Sequence, residues 1–132
     1  MYYDNHYNSL AYMDDYQKQR PEVDVIGQGF SRNNCHAYSW PRRTDIWINK
    51  PGAYTSDGSF KRITGNRPTA NKQRVINSTS SHSAFVVNFK TEKIRIQTKD
   101  GGSPIYECDL NVDFDSESYD IYEEVNISKV YK

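Results

Sequence analysis

The chain has 132 residues, with 17 basic and 17 acidic side chains for a formal net charge of zero; 36% of it is hydrophobic, and 11 residues are tyrosine. No run reaches the roughly 18–20 apolar residues of a membrane span, and no charged-then-apolar leader opens the chain, so neither a membrane protein nor export by a standard signal is expected. Leu, Ile, Val and Phe are scarce, but balanced charge and many aromatics favour a small folded unit whose thin core is filled out by tyrosine.

Tyr3, Tyr7, Leu10, Met13 and Gln17 follow the spacing of one helical face, with Asp4 as a cap and Pro21 as a stop. Residues 1–22 are therefore expected to form an amphipathic helix or an extended tyrosine-rich arm, set before a single β domain over 23–132. Ten Ile and eight Val against two Leu lean towards strands in the rest of the chain. Val23 to Ile26 reads as a first strand. Ser31 to Asn34 is turn chemistry, and His36 to Trp40 and Thr44 to Asn49 read as strands broken by Pro41. Asp57-Gly58 between Tyr54–Ser56 and Ser59–Ile63 is a hairpin signal. Residues 64–73 read as an exposed basic loop.

Ser83 to Phe89 and Lys93 to Thr98 read as strands joined by a short turn, and Asp100-Gly101-Gly102 turns the chain again. From Ile105 to Phe114, apolar Tyr106, Cys108, Leu110, Val112 and Phe114 alternate with Glu107, Asp109, Asn111 and Asp113, which predicts one long half-buried strand. A last strand is expected near Ile121 to Val130. The sum is a mainly β fold, a small single-domain antiparallel sandwich or barrel of about seven to nine short strands.

Charge is laid out in blocks: residues 1–31 sum to −3, residues 32–74 to +7 and residues 75–132 to −4. Such a basic centre can meet an acidic partner, a sister copy, or the chain's own acidic strands. Within it, Tyr38, Trp40, Trp47, Tyr54 and Phe60 are interleaved with Arg and Lys. Aromatics with arginine are enriched at protein interfaces, and rings with cations also bind single-stranded nucleic acid.

Chemical motifs are sparse. Cys35 and Cys108 lack metal-ligand spacing, and both thiols are expected to be reduced, with Cys108 a small buried hydrophobe. His36, His82, Glu107 and Arg74 would supply the parts of a metal-independent ribonuclease if the fold joined them. Asp113, Asp115, Glu117 and Glu124 echo a calcium loop without its glycine. No phosphate-cradling motif or serine elbow is present, so no cofactor, metal or catalytic residue is expected.

The leading expectation is therefore a non-enzymatic protein-binding module, acting either as a subunit of a virion-like or other multimeric assembly or as an inhibitor seated on another protein. Its partner-binding residues would be Arg42, Arg43, Trp47, Lys61, Arg62 and Arg67, with Tyr3, Tyr7 and Tyr12 as arm contacts, in the cytoplasm or in a particle assembled there. Single-stranded nucleic-acid binding through residues 32–74 is the alternative, and a small ribonuclease the third.

Overall fold

A computed structural model describes residues 9–29, 33–43, 46–49, 51–65, 67–114 and 119–126. Helix α1 (Leu10–Gln19) starts where the Ser9 side chain accepts from the Tyr12 N–H at 3.1 Å, and it stops at Arg20, one residue before Pro21. This is the helical alternative for the N-terminal segment; Tyr3 and Tyr7 lie outside the described residues. The strands are β1 (Asp24–Gly27), β2 (Phe60–Ile63), β3 (Arg74–Asn77), β4 (Ser83–Lys90), β5 (Lys93–Thr98), β6 (Ile105–Asp109) and β7 (Tyr119–Glu124). They form one antiparallel sheet in the order β1-β6-β5-β4-β3-β7-β2. The fold is thus mainly β, as expected, and the sheet does not close into a barrel.

Alternation along the strands gives the sheet two covered faces. On one face Val86, Ile96 and Cys108 sit in register across β4, β5 and β6, and Ala84, Val75 and Ile121 do so across β4, β3 and β7. This is the larger core, and Val23, Tyr106, Leu110 and Phe114 complete it, with Tyr16 of α1 packed against it. On the other face Ile76 packs with Trp40 and Phe60. Trp40 is fully buried, edge-on to both Phe60 (4.8 Å) and Tyr122 (5.3 Å).

The segment read as a strand over His36 to Trp40 is instead a short helix, α2 (Cys35–Ser39). Its cap is Asn34, whose Oδ1 accepts from the Ala37 N–H at 3.1 Å. The same carboxamide accepts from Ile48 N–H (3.3 Å) and donates to Ile48 O (2.7 Å), tying residues 46–49 to the start of α2. A capping side chain of this kind contributes about 1 kcal/mol, and here it also fixes the loop. Residues 46–49 are not a strand. At Asp57-Gly58, Gly58 adopts the positive φ of 87° that the turn signal implied. The segment before it, however, is helix α3 (Gly52–Ser56), and β2 pairs with β7 rather than folding back.

β6 ends at Asp109, where α4 (Leu110–Asp113) begins, so the predicted long strand stops after half its length. Leu110 and Phe114 satisfy a helical spacing as well as an alternating one. Both remain buried through the turn, while Val112 moves outward to 37% exposure. β3 was not predicted. Its Arg74 is 1% exposed and runs under α2, where it donates to Ser39 O (2.8 Å), Trp40 O (3.0 Å), Lys72 O and Glu124 Oε1 (3.0 Å).

Candidate active site

α2 lies against β4 and β5, and its first residue, Cys35, sits at the sheet end from which β4 starts. His82 is the residue just before β4, and Asp113 is the last residue of α4. The sheet thus brings together three side chains from segments far apart in sequence. His82 Nε2 donates to Asp113 Oδ2 at 2.9 Å, and the same imidazole is an electrostatic neighbour of the Cys35 thiol. Cys35 Sγ also lies 3.9 Å from the Ser81 carbonyl oxygen, and His36 follows it as the second residue of α2. His36 Nδ1 is anchored on Ser83 Oγ at 2.7 Å.

The electrostatics of the three groups agree. Burial alone would push the Cys35 thiol up, but hydrogen bonds and charge from His36 and His82 outweigh it and bring the thiol down to about 6. Burial would lower His82, yet its bonds to Asp113 and Cys35 raise it to about 9. Burial would raise Asp113, yet donors from His82 and Tyr106, with Arg20 behind them, hold it at about 2. Cys35 and His82 titrate as a pair, in two steps near 6 and near 9. Both directions favour a thiolate–imidazolium pair over a neutral thiol and imidazole.

The orienting carboxylate is itself tightly held. Asp113 accepts from Tyr106 Oη (2.6 Å) and from Arg20 Nη2 (3.1 Å) besides His82. Arg20 is steadied by Tyr16 Oη (3.2 Å) and Glu22 (3.2 Å) and lies 5.0 Å from the centre of the Tyr106 ring. Phe114 stacks on the His82 ring, with centroids 5.1 Å apart and planes at 18°. That contact fixes the plane in which the imidazole meets sulfur.

Two adjoining openings border these groups. One, about 230 Å³, is lined by Cys35 and His36 together with Trp47, Asn49, Asp100 and Gly101. The other, about 430 Å³, is lined by His82 and Asp113 with Arg20 and Tyr106. Ser81 and Asp100 line both, so the openings form one cleft running over the thiol and the imidazole. A separate opening of about 420 Å³ beside Arg67, Leu110 and Tyr119 shares with this cleft none of its lining residues.

Of the residues predicted to touch a partner, Trp47 alone lines this cleft, 49% exposed. Arg42 turns inward onto the rings of Tyr38 (4.3 Å) and Phe85 (3.8 Å) and donates to Gln97 Oε1 at 3.0 Å. Arg43 is half-buried, Arg62 pairs with Asp120 at 2.8 Å, and Lys61 stands opposite Glu123 across the β2–β7 ladder. Arg67 is exposed, and Tyr12 is half-buried beside Tyr16. Of the four ribonuclease residues, His36 and His82 are both electrostatic neighbours of Cys35. Glu107 is engaged by Arg95 at 3.2 Å and Arg74 by Glu124. Asp115 and Glu117 lie outside the described residues; among those described, no three His, Cys, Asp or Glu side chains converge as metal ligands.

Sequence reasoning missed Cys35 as a reactive group and Asp113 as its distant support. One signal was legible: an Asn that can cap a helix immediately before a cysteine. Cys108, by contrast, is the buried hydrophobe it was expected to be, fully enclosed, and burial with the Asp113 charge pushes its thiol up to about 12. Both thiols are free. No known protein family, curated protein or solved structure matches the chain.

Proposed function

We propose that the protein is a cysteine-nucleophile acyl hydrolase, cleaving an amide or ester bond through a thioester formed on Cys35. The observation that carries this reading is the His82–Asp113 pair, bonded at 2.9 Å, beside Cys35, whose thiol is lowered by its histidine neighbours, along two adjoining openings. Nucleophile, base and orienting carboxylate are recognised by such geometry and roles, whatever the fold. Cys35 Sγ attacks the carbonyl carbon, forming a C–S bond and moving the carbonyl electron pair onto oxygen. The Cys35 N–H opens α2 and has no helical carbonyl to bond, so it is the nearest backbone donor to that oxyanion. His82, as imidazolium, protonates the departing nitrogen or oxygen while its bond to carbon breaks. Neutral His82 then takes a proton from water, whose oxygen attacks the thioester. The C–S bond breaks, the acid leaves, and the thiolate–imidazolium pair is restored.

The test is pre-steady-state hydrolysis of a p-nitrophenyl ester. The expected result is a burst of one nitrophenol per chain, with the acyl group found on Cys35 by mass spectrometry. The steady-state rate should be bell-shaped in pH, with limbs near 6 and near 9. A burst that persists in Cys35→Ala, or no burst in the native chain, defeats the proposal.

The protein-binding reading of the sequence stands as a second proposal, supported by the exposed Lys61, Arg62 and Arg67 and by Leu10 at 72% and Val125 at 61% exposure. It predicts capture of a partner protein and no ester burst, so the same measurement separates the two.

A further inference from the structure

The cleft carries a charge pattern that the acyl chemistry does not use. Asp100 lies two residues past the end of β5 and is exposed, and it borders both halves of the cleft. Its backbone is locked into a tight turn: the Asp100 N–H donates to Ser103 Oγ (2.7 Å) and the Ser103 N–H returns to Asp100 O (3.0 Å). Gly101 makes the turn possible, with φ +58°, and offers a flat backbone face on which the Trp47 ring edge lies 4.0 Å from where a Cβ would stand.

Trp47 is held in this position by its indole N–H, which donates to Asn49 Oδ1 at 3.1 Å. Because that N–H can only donate, the Asn49 oxygen must face it, so the ring is oriented as well as exposed. An aromatic face and a carboxylate therefore share one rim of the cleft, next to the Cys35 sulfur.

Lys99, next to Asp100 in the chain, and Arg20, which lines the same opening, are each held by other side chains. Lys99 is fully buried with Nζ 2.5 Å from Asn33 Oδ1, and Arg20 is shared between Asp113 and Glu22. Among the described residues Asp100 forms no ion pair. With the Cys35 thiolate balanced by the His82 imidazolium, Asp100 leaves this rim with an exposed negative charge beside an aromatic ring. That combination attracts a cation and repels an acidic group.

We propose that the Trp47–Asp100 rim is the subsite for a positively charged side chain, lysine or arginine, of a peptide substrate. This rests on the hydrolase reading and names its substrate class. Asp100 supplies the counter-charge and Trp47 a ring face for the alkyl stem and cationic head.

The test uses binding alone, so that it stands apart from catalysis. In full-length Cys35→Ala, which also removes the thiolate charge, Trp47 is the responsive fluorophore because Trp40 is sealed. Blocked tripeptides differing only in a central lysine, norleucine or glutamate are titrated against it. The lysine peptide is expected to change the emission saturably and to bind about tenfold more tightly than norleucine, with glutamate weakest. Asp100→Asn in the same background should reduce the lysine preference to about twofold or less. Equal binding of lysine and norleucine peptides, no saturable change with any of them, or an undiminished preference in Asp100→Asn overturns the subsite. A failure here with a normal ester burst rejects the subsite alone; a missing burst with intact lysine preference rejects the hydrolase reading alone.

Discussion

Replacing His82 with alanine is expected to cut steady-state ester hydrolysis by about 10²–10⁴-fold, the usual worth of a positioned proton-transfer group. It should also move the thiol. In the native chain hydrogen bonds and charge from His36 and His82 hold Cys35 near 6, against the upward push of burial. Without His82 that push is opposed by His36 alone, and His36 is already anchored on Ser83. The midpoint of Cys35 alkylation by iodoacetamide should therefore rise well above 6, towards or beyond the ordinary thiol value. A purely structural role for His82 would lower activity in step with the folded fraction and leave the alkylation midpoint of the folded chain unchanged.

Asp113→Asn is expected to damage both activity and stability. The carboxylate accepts from His82, Tyr106 and Arg20 and is 7% exposed, so an amide in its place leaves donors facing donors. The cost should be about 3 kcal/mol in denaturant unfolding, the lower end for breaking a buried ion pair, because Arg20 keeps a quarter of its side chain in water. The sign of the pH dependence follows from the depressed carboxylate. Asp113 is held at about 2, below its unfolded value of roughly 3.9, so its contribution is complete above pH 4 and is lost as pH falls through 2. Asp113→Asn should flatten that acid limb. The Cys35–His82 pair behaves differently. Between roughly pH 6.5 and 8.5 the unfolded chain holds one proton on the pair, on sulfur, and the folded chain holds one, on nitrogen. The proton changes place but not number, so the pair adds no slope to stability in that window.

The strands that read clearly were those with local signals: β4, β5 and the first half of β6 alternate cleanly, and tight turns separate them. What failed to read was the chemistry, for two related reasons. α2 spans five residues, too short for a helical period to show, and its Tyr and Trp content suggested a strand. Its one local marker, the Asn34 cap, was read as part of a turn. At the other end, Leu110 and Phe114 fit an alternating pattern and a helical one equally well. Read as a strand, residues 105–114 send Asp113 outward with Glu107 and Asp109. One turn of helix instead carries it inward beneath His82, and that single change of period separates an acidic solvent-facing edge from the support of a nucleophile.

The basic middle third shows the same limit. Its summed charge is a property of the sequence, but Arg42 and Arg74 spend theirs on rings and carbonyls within the fold and Arg62 on Asp120. Composition counted these cations; only long-range pairing decides which of them face outward.

The account depends on Cys35 being a thiolate beside a protonated His82 at neutral pH. Thiolate absorbance near 240 nm, followed from pH 4 to 10 as the difference between the native chain and Cys35→Ala, measures this directly. One thiolate per chain appearing with a midpoint near 6 is the predicted result. A midpoint at the free-cysteine value of about 8.5, or higher, would contradict it.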